Sequence, residues 1–119
     1  AKEYHLMADR ILVWYLENIV GAGLDQGPAY YIEQDYTPVA LRVMAKLAPD
    51  AAHLTFDIKD DGVTILSRRA SLTKNFVSED AADEFPLNPP AIEAGSLVTL
   101  DVTPNGAKGI TIQLELEAG

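Results

Sequence analysis

The feature that most constrains this chain is a period-two alternation near its end. Val98, Leu100 and Val102 alternate with Thr99, Asp101 and Thr103; beyond Pro104-Asn105-Gly106-Ala107-Lys108-Gly109, the residues Ile110, Ile112, Leu114 and Leu116 alternate with Thr111, Gln113, Glu115 and Glu117. A strand sends successive side chains to opposite faces, so each run has one apolar and one wet face. Asn105 and Gly106 supply the positive backbone angles of a tight reversal, and Pro104 lacks the N–H needed to extend a ladder. The expected result is a hairpin from Leu97 to Glu117. The same grammar occurs upstream, where Leu54-Thr55-Phe56-Asp57-Ile58, a Lys59-Asp60-Asp61-Gly62 turn and Val63-Thr64-Ile65-Leu66 read as a second hairpin.

The remaining segments are read against these two. Ile11, Val13, Trp14, Tyr15, Ile19 and Val20 are β-branched or aromatic and run into Gly21 and Gly23, which favours a strand. An amphipathic helix over residues 2–20 is the competing reading, because Lys2/Glu3, Asp9/Arg10 and Glu17/Asn18 recur at about seven. With a strand there, residues 1–9 form an N-terminal arm and residues 10–119 one β-sandwich domain. Gly21 to Pro28 is a loop, Ala29 to Gln34 a short strand, and Val39, Leu41, Val43, Ala45 and Leu47 point one way while Arg42, Met44 and Lys46 point the other. Leu72 fits a short strand. Ser78 to Pro90 reads as a long surface loop, with Glu79, Asp80, Asp83 and Glu84 followed by Pro86, Pro89 and Pro90. Short strands separated by Gly, Pro, Asn and Asp clusters make the chain all-β, a single antiparallel β-sandwich. The near-repeat of Leu54-Thr55-Phe56-Asp57-Ile58 in Val98-Thr99-Leu100-Asp101-Val102 favours the jelly-roll type.

Composition narrows the function classes. Eighteen acidic residues against nine basic give a net charge of −9, which argues against nucleic acid as partner, since phosphate binding needs Lys and Arg to release counterions. It also disfavours anionic membrane surfaces. The longest apolar run, Ile11 to Leu16, is far below the roughly 20 residues of a membrane span, and a soluble, non-secreted or directly assembled chain is expected. With no cysteine there is neither a disulfide nor a thiolate site.

Asp57 and Asp101 hold equivalent outward positions and are the only candidate carboxylate pair for glycoside hydrolysis; ordinary residues of a wet sheet face explain them better, because nothing nearby would raise a pKa. Asp57, Asp60 and Asp61 lack the full ligand set of a calcium loop and read as turn formers. His5 and His53 have no companions at metal-site spacing, Ser67, Ser71, Ser78 and Ser96 lack a nucleophile elbow, and no Gly-rich phosphate cradle is present. The expectation is therefore no enzyme, no cofactor and no metal. Among the early aromatics Trp14, Tyr15, Tyr30, Tyr31 and Tyr36, alternation sends one ring of each adjacent pair to either face; most are expected to seal the fold, and some to anchor an interface. The candidate partner-binding residues are Tyr4, Leu6 and Met7 on the arm, with Trp14, Tyr31 and Phe85.

From Tyr30 onward, the chain resembles a β-sandwich module of small virion and fibre-associated proteins of tailed bacteriophages. The resemblance is carried by Tyr30-Tyr31-Ile32, Pro38-Val39-Ala40-Leu41-Arg42-Val43, Ala48-Pro49, Phe56-Asp57-Ile58, Asp61-Gly62-Val63-Thr64-Ile65-Leu66, Ala94-Gly95, Leu100-Asp101-Val102 and Gly109-Ile110-Thr111-Ile112-Gln113-Leu114, with Trp14-Tyr15-Leu16-Glu17 similar to the module's first strand. The acidic, proline-rich stretch at 78–90 departs from it. The resemblance implies a structural or adhesive role on a virion, above all a capsid decoration protein on the major capsid protein lattice and packed as a homotrimer. A head- or tail-fibre component is close behind, and a carbohydrate-binding module is the competing class.

Overall fold

The computed structural model describes residues 9–19 and 21–119. The alternating runs form strands as expected, but they do not all pair as expected. Among the described residues the strands are β1 (Arg10–Leu16), β2 (Tyr30–Tyr31), β3 (Tyr36–Leu47), β4 (Leu54–Asp60), β5 (Val63–Thr64), β6 (Ala70–Leu72), β7 (Ser78–Asp80), β8 (Leu97–Thr103) and β9 (Lys108–Ala118). They build two antiparallel sheets, one in the order β1-β9-β3-β7 and the other β2-β8-β4-β5, with β6 also on β4. Among the described residues, helix is confined to one 3-10 turn, Ala82–Glu84. The strand reading of Ile11 to Leu16 therefore holds, and β1 interrupts the continuous helix of the competing reading.

The expected last hairpin is not one. β8 pairs with β4 and β2, whereas β9 pairs with β1 and β3. The Pro104–Ala107 reversal carries the chain from one sheet to the other. Alternation fixes which side chains face the core, but both a hairpin and a crossing satisfy it. The crossing is tied to the 48–53 link, which also passes between sheets: the Asn105 carbonyl accepts the Asp50 and Ala51 N–H groups at 3.1 and 3.2 Å, and Asn105 Nδ2 donates to the His53 carbonyl at 2.7 Å. The upstream hairpin is real but short, with Lys59 opposite Thr64 and Asp60 opposite Val63. The two near-repeats lie side by side, Phe56 facing Val102, Asp57 facing Asp101 and Ile58 facing Leu100.

Both sheets feed one core. Leu12, Trp14, Leu41, Val43, Ile112 and Leu114 of the first meet Leu54, Phe56, Ile58 and Leu100 of the second. Trp14, expected at a partner surface, is wholly buried; its indole N–H donates to the Pro28 carbonyl at 2.9 Å, and the Tyr30 ring stands edge-on to it at 5.2 Å. Val39 does not share the face of Leu41: the register shifts between Pro38 and Ala40, and that extra residue re-phases the strand. Leu47 is exposed at the strand end.

The stretch expected as one loop from Ser78 begins as β7. Its ladder on β3 is extended by the Ala45 N–H to the Val77 carbonyl and the Ala81 N–H to the Leu41 carbonyl. Tyr4, His5, Leu6 and Met7 of the expected arm lie outside the described residues. Asp9 belongs to the body, since its carboxylate accepts the Ala118 N–H at 2.8 Å.

The 21–28 loop runs along β8, with the Val102 N–H donating to the Gly23 carbonyl and the Gln26 N–H to the Leu100 carbonyl. Gly23 sits at φ +83°, and a Cβ there would come within 2.0 Å of the Val102 carbonyl oxygen; Gly62, at φ +85°, has open space around it. Gly23→Ala should therefore lower the urea midpoint by more than Gly62→Ala, with a cost on the order of 3 kcal/mol against about 1 kcal/mol, read by equilibrium unfolding with the slope checked for constancy.

Candidate functional site

The polar cluster with the most developed chemistry lies on the face of the β2-β8-β4-β5 sheet turned away from the core. Strand alternation puts Asp57 and Asp101 there, and the β4/β8 register places them directly opposite. The face is not wet at this point: Asp57 is 9% and Asp101 3% exposed. Asp25, in the left-handed region at φ +51°, aims its backbone N–H at Asp101 Oδ1 at 2.9 Å. Lys59 Nζ lies 2.7 Å from Asp101 Oδ2, and the Thr64 hydroxyl donates to Asp57 Oδ1. One row further along, Arg69 reaches the Thr55 and Thr103 hydroxyls at 3.3 and 3.4 Å.

Two carboxylates directly opposite repel, so the pair depends on its cations and donors. Burial pushes the Asp101 carboxyl upward, but the hydrogen bonds from Lys59 and the Asp25 N–H, together with the charges of Lys59 and Arg69, hold it below the ordinary aspartate value. The Lys59 ammonium is raised by its hydrogen bond to Asp101 and by that carboxylate's charge. Asp101 is thus an anion at neutral pH with no proton to donate. In a glycosidase-type pair Asp101 could therefore serve only as the anionic member. What this cluster does chemically is clamp β4 to β8.

The other sequence candidates do not converge. Asp61 Oδ1 accepts the Leu97 N–H at 2.9 Å, while Asp60 Oδ1 is buried without a partner, so the carboxylates of the turn are used separately. Among the described residues, no three His, Cys, Asp or Glu side chains are gathered to hold a metal. His53 Nδ1 accepts the Lys74 N–H.

Of the expected partner-binding residues, Tyr31 is 62% exposed and sits opposite the exposed Leu97, available for contact. Phe85 is half-buried and packs against the core, whereas Trp14 is wholly buried. Sequence reasoning missed the outward row of β1, where Ile11, Val13 and Tyr15 are 44%, 38% and 47% exposed. The signal was present, because placing Trp14 inward obliges these three to point outward. Among known proteins, no protein-family model matches this chain, and no curated protein matches it.

The pH dependence has a definite sign. A depressed Asp101 pKa contributes stability that is present above the unfolded aspartate value, about 3.9, and is lost as pH falls through the folded value; the raised Lys59 contributes below its ordinary value and is lost only as pH rises through the folded one. Asp101→Asn should cost about 1–3 kcal/mol at neutral pH and flatten the loss of stability below about pH 4, followed by urea unfolding from pH 7 to pH 2.

Proposed function

We propose that this protein is a structural component of a tailed-bacteriophage virion, a capsid decoration (cement) protein that binds the major capsid protein lattice. The observation that carries the reading is the placement of large apolar side chains at fixed outward positions, on the β1 row and at Leu87, which is 93% exposed among Pro86, Pro89 and Pro90. Such surface suits a permanent protein contact. The virion assignment itself rests on the resemblance in turn and core residues.

The finer fold belongs to the same proposal: a β-sandwich of jelly-roll type. The strand orders support it, because β1, β2, β3 and β4 alternate between sheets, as do β7, β8 and β9, which is the interleaving of two Greek keys. A carbohydrate-binding module is the second reading, favoured by the exposed Tyr31 beside Leu97. The resemblance also implies a homotrimer, which competes with the two-fold pairing argued from the sheet edge below; sedimentation mass separates the two and is a separate measurement from particle binding.

Purified chain mixed with undecorated shells should co-sediment at saturating, lattice-stoichiometric occupancy, and a mass-spectrometric census of native particles should contain it. The Asp57→Asn/Asp101→Asn variant, once shown to be folded, should bind shells as the wild type does. Failure to bind any shell together with a positive glycan array would overturn the decoration role in favour of the second reading.

A further inference from the structure

We propose that β1 is a homotypic docking edge, through which two copies of this chain pair antiparallel about a two-fold axis at Val13. β1 ends its sheet, and among the described residues no strand lies on its far side. Which of its backbone groups are free follows from the register. The Ala45 N–H and the Leu41 carbonyl point toward β7, and backbone groups alternate sides along a strand. Arg42 and Met44 therefore bond toward β9, where they face Gln113 and Thr111. By the same alternation, Ile112 and Leu114 bond toward β1, facing Trp14 and Leu12. The N–H and carbonyl groups of Ile11, Val13 and Tyr15 are left pointing outward from the sheet. The Tyr30 hydroxyl donates to the Val13 carbonyl, and a carbonyl oxygen retains a second lone pair.

The two edges of this sheet are built differently. β7 is a three-residue Ser-Glu-Asp strand, short and acidic, as protected edges are. β1 runs unbroken from Arg10 opposite Leu116 to Leu16 opposite Ile110, with no proline, bulge or charge from Ile11 to Leu16. A second copy is the occupant this edge fits, because from Ile11 to Tyr15 its outward row is apolar and pairs with its own copy, bounded at each end where Asp9 faces the partner's Glu17. With the axis at Val13, Ile11 meets the partner's Tyr15, Val13 meets the partner's Val13, and each facing pair exchanges backbone hydrogen bonds. The outward side chains then form one continuous apolar ladder across both copies. Tyr15 is already held for this by the Lys46 ammonium 5.4 Å from its ring centroid and by its hydroxyl bond to Glu17. An isologous contact needs only one patch; a three-fold ring through this sheet would have to join β1 to the acidic β7.

Sedimentation equilibrium of the full chain tests this, independently of shell binding. At on the order of 100 μM the mass should be twice 12.9 kDa, and added salt should strengthen association by screening the −9 charge. Val13→Lys, an outward substitution that should keep the native circular dichroism and melting temperature, should weaken the dimer at least about tenfold. Leu97→Lys, on the exposed surface of the other sheet, should leave it unchanged. A monomer or a trimer at that concentration overturns the inference, as does a dimer indifferent to Val13→Lys or equally weakened by Leu97→Lys. A monomer that still decorates shells would sink this inference alone and leave the virion role standing.

Discussion

The double-sided pairing of β9 is the constraint on which the first sheet depends. β9 bonds β1 on one side and β3 on the other, and its inward residues Ile110, Ile112, Leu114 and Leu116 are all fully buried. Each such side chain contributes about 1.5–3 kcal/mol on burial. The geometry also joins the first described strand to the last. Neither β1 nor β3 can complete its place before β9 is present, so this sheet is dominated by non-local pairings and should assemble slowly, as such topologies do.

In the second sheet, register depends on charge as well as on apolar packing. A slip of β4 against β8 by one residue would carry Asp57 and Lys59 into the core, turn Phe56 and Ile58 outward and leave Asp101 without its cation. In the observed register the two carboxylates share a face with Lys59, the 21–28 loop closes over Asp101 through the Asp25 N–H, and Thr64 donates to Asp57. Ion pairs this sheltered often add little net stability, because desolvation offsets the attraction. Removing one partner is costly all the same, so this cluster penalises wrong registers more than it strengthens the right one.

How much was legible follows from which physical rule acts locally. Side-chain alternation is local, so the strands, the inward Ile and Leu positions and the outward parity of Asp57 and Asp101 could be read. Strand partnership is not local: nothing between Leu97 and Glu117 distinguishes a hairpin from a crossing, because the tie from Asn105 to the 48–53 link is made by residues about fifty positions away. The burial of Asp101 was hidden for the same reason, its cover coming from Asp25. β7 could not be read because Ser-Glu-Asp has no strand preference and is held by backbone bonds to β3. Pro38 was a visible warning of the re-phasing at Val39, since proline within a strand is confined to edges and bulges.

The apolar edge and the acidic composition belong together. An unprotected strand edge on a neutral molecule invites open-ended sheet growth. Here the excess of acids keeps copies apart at long range, while the Ile11 to Leu16 segment itself carries none. A two-fold contact at this edge also consumes the edge on both partners, and the sheet then ends at β7 in each direction. Its short Ser-Glu-Asp strand can terminate the assembly because it offers three residues and two negative charges to any further strand. One edge made to pair and one made to refuse pairing give a closed assembly, which a chain with two identical edges could not specify.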